Sequence, residues 1–112
     1  MADIWTARVS YRGADRLDIT RKGGSPFGPS WALLRRFLAI RVAGQETEAT
    51  WAEYSAAYTQ EMRGLYRRDP GAFSALAEQG GTLCCYCTGA HCHRYLLAAI
   101  LQRLGATYQG ER

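Results

Sequence analysis

The chain reads as a single small layered α/β domain over residues 1–112, with a mixed, mostly parallel sheet flanked by helices. Three observations predict this. Short stretches of strand-forming residues near both ends are separated by longer stretches with helical periodicity. The 112 residues are about the length of one domain and leave no room for a second. Hydrophobic residues make up 47% and charged residues 21%, the balance of a chain that folds around one core, which sets aside disordered and collagen-like classes.

The elements follow in order. Ile4 to Val9 is rich in strand formers and gives a first strand, and Tyr11 to Asp15 carries turn chemistry. Arg16-Leu17-Asp18-Ile19-Thr20 alternates polar with apolar and gives a second strand. It leads into Lys22 to Pro29, a glycine- and proline-rich loop. Ser30 caps a helix that runs from Trp31 to about Val42, with Trp31, Leu34 and Leu38 as its apolar stripe. Thr50 and Glu53 match a capping box, and Trp51, Tyr54, Tyr58, Met62 and Leu65 recur at helical spacing behind it. Asp69-Pro70 opens a short helix that stops near Gly80-Gly81. Thr82 to Cys87 reads as a buried strand, about Cys92 to Leu104 as a buried helix ended by Gly105, and Ala106 to Tyr108 as an edge strand. No run approaches the roughly 18–20 apolar residues of a membrane span, and Met1 to Arg8 lacks a signal peptide's pattern, so no membrane role is expected and the location reads as cytoplasmic.

Fourteen basic residues against ten acidic ones give a net charge of +4, and thirteen of the fourteen are arginine. Anionic partners suit that balance. All four cysteines, Cys84, Cys85, Cys87 and Cys92, fall within nine residues. Disulfide frameworks spread their cysteines to close loops, so this cluster points to local chemistry or burial instead. On a strand, Cys85 and Cys87 share one face about 6.5 Å apart, leaving Cys84 to the packing on the other. Cys87 stands where the strand ends and the chain turns towards a helix, the usual ligand position in open α/β sheets.

His93 and Arg94 occupy the first turn of that helix, where cations oppose the helix dipole and ask for a compensating anion. Thr88, Gly89 and Arg94 would hold a phosphate or carboxylate there, unless Arg94 pairs with a carboxylate from elsewhere in the chain, such as Asp18. The spacing excludes a phosphatase loop, because the position six before Arg94 is Thr88, and it lacks the two intervening residues of a thioredoxin-type pair. A catalytic pair of Cys85 or Cys87 with His91 or His93 fits. If the cluster holds zinc instead, the ligands are Cys85, Cys87, Cys92 and a histidine, with His91 the first choice, although no second ligand pair lies elsewhere in the chain.

Leu83-Cys84-Cys85-Tyr86-Cys87, followed after four residues by Cys92-His93-Arg94, resembles the signature of the family called "domain of unknown function 488". Leu17-Asp18-Ile19-Thr20-Arg21 with the Ser25-Pro26 loop is similar to that family's Asp-containing strand and proline loop, and Trp5-Thr6 to its aromatic-Thr pair. Two positions depart from the pattern: Cys87 replaces the usual acidic residue, and Thr20 stands where the family tends to have arginine. The resemblance implies an α/β fold with a polar cluster at the strand ends. It implies no reaction.

The leading expectation is an enzyme with Cys85, Cys87, Cys92, His93 and Asp18 as its catalytic set. Thr88, Gly89, Arg94, Thr6 and Arg21 would bind an anionic substrate such as a nucleotide, nucleoside or nucleic acid. The alternatives are a non-enzymatic nucleic-acid-binding module, with Arg8, Arg12, Arg16, Arg21 and Lys22 meeting phosphates, and a zinc-stabilised domain.

Overall fold

The computed structural model describes residues 2–87 and 89–112. Its elements are β1 (Asp3–Arg8), β2 (Arg16–Asp18), α1 (Trp31–Val42), α2 (Glu48–Arg68), α3 (Pro70–Gln79), β3 (Gly81–Cys85), α4 (His93–Arg103) and β4 (Thr107–Glu111). The four strands form one sheet in the order β2-β3-β1-β4, and every pairing is parallel, so the expected mixed sheet is wholly parallel among the described residues. Among the described residues no helix is long and apolar enough to cross a membrane.

Register decides which side chains share a face. Thr6 pairs with Leu83, Arg8 with Cys85 and Ile4 with Gly81, so Cys85, Leu83, Thr6 and Ile4 point to one side. That side carries α4, which packs on β1, β3 and β4, and α2 and α3 close over α4. Ile4, Leu83, Leu97, Leu101, Tyr58 and Phe73 are fully buried between the layers. The other side holds Trp5, Thr82 and Cys84 and is covered by the β1–β2 loop. Asp15 accepts hydrogen bonds there from Thr82 Oγ1 at 2.8 Å and Tyr11 Oη at 2.7 Å, and the Arg112 guanidinium lies 3.8 Å from the Trp5 ring centre.

The helix starts show why these segments fold locally. Ser30 accepts a hydrogen bond from Leu33 N at 3.2 Å, and Asp69 accepts one from Ala72 N at 3.2 Å ahead of Pro70, both as expected. The longest helix starts earlier than the Thr50/Glu53 pattern suggests. Thr47 is its cap, and Thr50 fills the reciprocal position of the capping box, its hydroxyl accepting from Thr47 N at 2.7 Å. Glu53 instead pairs with Arg36 on the surface. The α1 stripe also differs: Leu33 and Phe37 enter the core, whereas Trp31 is 48% and Leu38 43% exposed. Trp31, Leu34 and Leu38 line a cavity.

Gly80 joins α3 to β3 at φ +70°, and a Cβ there would lie 2.5 Å from the Asp3 carbonyl oxygen. Backbone blocks that space and the conformation disfavours L side chains. Gly80→Ala is therefore expected to cost about 2 kcal/mol or more and to lower the melting temperature by on the order of 10 °C. An unchanged thermal denaturation curve would refute this account of the turn.

Candidate functional site

β3 ends at Cys85, so Tyr86 and Cys87 already belong to the turn that leads to α4. Cys92 is the residue just before α4, and His93 and Arg94 open the helix with their side chains buried. Cys85, Cys92 and His93 thereby converge, their ligand atoms all within 4.8 Å of one another. His93 Nδ1 lies 3.5 Å from Cys85 Sγ and 4.0 Å from Cys92 Sγ. Its other nitrogen, Nε2, is 2.8 Å from the Ile19 carbonyl oxygen. A carbonyl can only accept, so Nε2 carries the proton and the Nδ1 lone pair faces the thiols. Burial disfavours the imidazolium and lowers the His93 pKa, outweighing the Ile19 carbonyl and the Cys87 charge, so the ring is held neutral.

Cys87 completes a three-thiol group. The neighbouring Cys85 and Cys92 thiols and the Arg41 guanidinium favour its thiolate, so its pKa is lowered despite partial burial. The same contacts work against the other two. Cys85 is raised by Cys87 and Cys92 and then by burial. Cys92 is drawn down by Cys85, but Cys87 and burial outweigh this and push it up to about 11. Of the three, Cys87 is the thiol whose charged form its surroundings favour. Arg41 is fixed for this by Glu46, at 3.2 Å, and by the His91 carbonyl oxygen, at 3.1 Å.

Cys85, Cys87 and His93 line one end of a cavity of about 260 Å³. Its walls are mostly apolar, with Trp31, Leu34, Phe37, Leu38 and Tyr54 from the helices and Pro29 from the loop. Tyr86, 52% exposed, also lines it, with the Lys22 ammonium 5.9 Å from the centre of the tyrosine ring. Arg21 lines it too, but its Nε and Nη2 already donate to the Pro29 and Gly28 carbonyls at 3.0 and 2.7 Å.

The remaining expected site residues lie elsewhere. Arg94 is 0% exposed. Its guanidinium donates to both oxygens of Glu111 at 3.3 and 2.8 Å, to the Cys87 carbonyl at 2.8 Å and to Tyr95 Oη at 2.9 Å. An anion at the loop before α4 would not reach the buried Arg94 guanidinium, and the carboxylate partner is Glu111, not Asp18. Asp18 accepts from Thr20 N at 2.8 Å and Thr20 Oγ1 at 2.6 Å, which shapes the turn after β2. Thr6 is buried, its hydroxyl 2.7 Å from Tyr108 Oη. His91 stands apart from the thiols, stacked on Trp51 at 4.6 Å with Nδ1 2.7 Å from Glu46 Oε2. Gly89 is exposed beside Arg41, Glu46 and His91, and Thr88 lies outside the described residues. Within the basic N-terminal stretch, Arg16 is committed to the Tyr11 and Val9 carbonyls. Cys84 is wholly buried on the other face, as expected.

Arg41 and Glu111 are support residues that the residue pattern did not single out, whereas Trp31 and Tyr54, which it placed on the apolar stripes of their helices, line the cavity.

No curated protein and no solved structure matches the chain significantly. The family model DUF488-N3a, described as the active DUF488-N3 subclade, matches residues 1–105. With the Cys85, Cys92, His93 and Arg94 motif spanning the end of β3 and the start of α4, and nearly the whole chain inside the match, the protein belongs to the DUF488 family.

Proposed function

We propose that the protein is a thiol-dependent enzyme in which the Cys87 thiolate attacks a small substrate that has a flat apolar body and an anionic group. The observation that carries this is the placement of Cys85, Cys87 and His93 together on the wall of an apolar, aromatic-lined cavity. Its volume, about 260 Å³, sits just below the roughly 300–1,000 Å³ of drug-sized pockets. A single ring system fits that space, and a polymer would enter only by one exposed base. Trp31 and Tyr86 offer faces for stacking, and Lys22 offers an ammonium to a phosphate or carboxylate. A nucleotide meets these requirements, and a nucleoside meets the ring requirement alone. In the reaction the Cys87 thiolate bonds to an electrophilic centre. A neighbouring thiol protonates the departing group, with the His93 Nδ1 lone pair then available to take a proton from water.

The test is thermal denaturation of the reduced protein with a panel of nucleoside monophosphates and the matching nucleosides. A ligand at 100 times its Kd should stabilise by about 2.7 kcal/mol, and Trp31→Ala and Lys22→Glu should each diminish the shift. If no nucleotide or nucleoside moves the transition, this substrate class is wrong.

A second reading is zinc held by Cys85, Cys92 and His93, with Cys87 as a further ligand. It is favoured by the His93 geometry, since ligating histidines donate their other N–H to a carbonyl or carboxylate. With Zn–S near 2.3 Å and Zn–N near 2.0–2.1 Å, a tetrahedral site sets sulfur and nitrogen about 3.5 Å apart, and the separations here are 3.5 and 4.0 Å. About one equivalent of zinc by elemental analysis, with a chelator lowering the melting temperature, is the expected result on this reading. Metal-free protein that binds no added zinc would eliminate it.

A further inference from the structure

A second groove shares no lining residue with the thiol cavity. It lies between α2, α3 and α4 and has a volume of about 260 Å³. Its floor is Met62, Phe73, Ile100 and Leu104, and Tyr66 stands at its edge with its side chain exposed. Arg63 and Arg67, one helical turn apart on α2, line one side, and Arg103 on α4 lines another. The ion pairs among the described residues involve Arg36, Arg41, His91, Arg94 and Arg112, and none involves these three. The three guanidinium groups around apolar surface form a charge pattern that no carboxylate among the described residues answers with an ion pair.

We propose that this groove docks an acidic amphipathic helix of a partner protein. The volume admits one or two apolar side chains. A helix that places leucines at i and i+4 into the groove carries its carboxylates one turn to either side, where Arg63, Arg67 and Arg103 stand. The floor favours an aliphatic anchor over a nucleobase. Phe73 is buried and already packed edge-on against Phe27 at 5.1 Å and beside Tyr66 at 5.6 Å, so it offers no free face for stacking.

The probe is a fluorescein-labelled synthetic helical peptide with leucines at i, i+4 and i+7 and glutamates between them, titrated with the full reduced chain by anisotropy. Saturable binding is expected, weakened at least tenfold by the Arg67→Glu/Arg103→Glu double substitution. Both arginines are exposed, so this variant should keep its melting temperature and circular dichroism. Replacing the peptide's leucines with serine should remove binding, and added salt should weaken it. Several results would overturn the proposal: equal binding by the serine peptide, no effect of the double substitution, or tighter arginine-dependent binding of single-stranded DNA or phosphatidylglycerol vesicles. So would dimerisation in sedimentation that the same substitutions abolish, because the groove's occupant would then be a second copy of the chain.

Discussion

Arg94→Met should cost about 3–4 kcal/mol, the lower part of the range for removing one partner of a buried ion pair, because Glu111 is partly solvated. In a domain of this size that lowers the melting temperature by roughly 15 °C or more. The cause is the number of groups that lose a donor together. The Arg94 guanidinium satisfies both Glu111 oxygens, the Cys87 carbonyl and the Tyr95 hydroxyl, and so ties the start of α4 to the end of β4 and to the turn after β3. Arg94→Lys should recover little, since an ammonium on a flexible stem cannot reach three directions at once. Glu111→Gln in the Arg94→Met background should be milder than the sum of the single changes, because the double variant leaves no unpaired charge. Burial alone would raise the Glu111 pKa, but the Arg94 and Thr6 hydrogen bonds outweigh it, so the folded value lies below the ordinary 4.5. The stability this pair contributes is therefore fully present above pH 4.5 and is lost as pH falls through the lower folded value. Asp15 and Glu46 are lowered too, so the readout is the difference in acid-limb slope between native protein and Arg94→Met. A melting temperature within 3 °C of native for Arg94→Met, or an unchanged acid limb, would refute the structural role.

That role was half legible in the sequence. A cation in the first turn of a helix needs an anion, and the residues announced that need without naming the partner. Glu111 is 17 positions away, on a strand whose partner is the first strand of the chain, and only the completed sheet brings it to Arg94. The same holds for the cavity. The strand, turn and helix around the cysteines are local features, set by β-propensity, a glycine and a burst of apolar residues, and they appear near where the pattern places them, except that the strand ends at Cys85 and leaves Cys87 in the turn. The walls come from α1 and α2, and periodicity alone could not tell which apolar face of α1 meets the core and which meets the cavity. Arg41 is the clearest case of what stayed hidden, because an arginine near a helix end reads as a solvated cation. Its tie to Cys87 depends on the packing of α1 beside the turn after β3, aided by Glu46 and the His91 carbonyl.

Native protein should be alkylated by iodoacetamide first and selectively at Cys87, at a rate nearly constant between pH 5 and 8. An ordinary thiol of pKa about 8.5 gains roughly tenfold in thiolate per pH unit over that range, so the contrast at pH 5 reaches several hundredfold or more even after allowing for the weaker nucleophilicity of a low-pKa sulfur. The Cys85 and Cys92 thiols and the Arg41 guanidinium favour the Cys87 thiolate and lower its pKa. Cys87→Ser should therefore abolish the fast phase by at least a hundredfold while the melting temperature changes little, since Cys87 is only partly buried and lies outside the strand. Arg41→Met should keep the labelling at Cys87 but make its rate rise with pH, because the two thiols remain and the guanidinium does not. Cys85→Ala removes the stronger of the two thiol influences on Cys87 and should move the profile further in the same direction than Cys92→Ala. Peptide mapping of the labelled protein decides the matter. A label on Cys85 or Cys92, or a rate that climbs tenfold per unit from pH 5, would move the charge off Cys87 and remove the nucleophile from the proposed reaction.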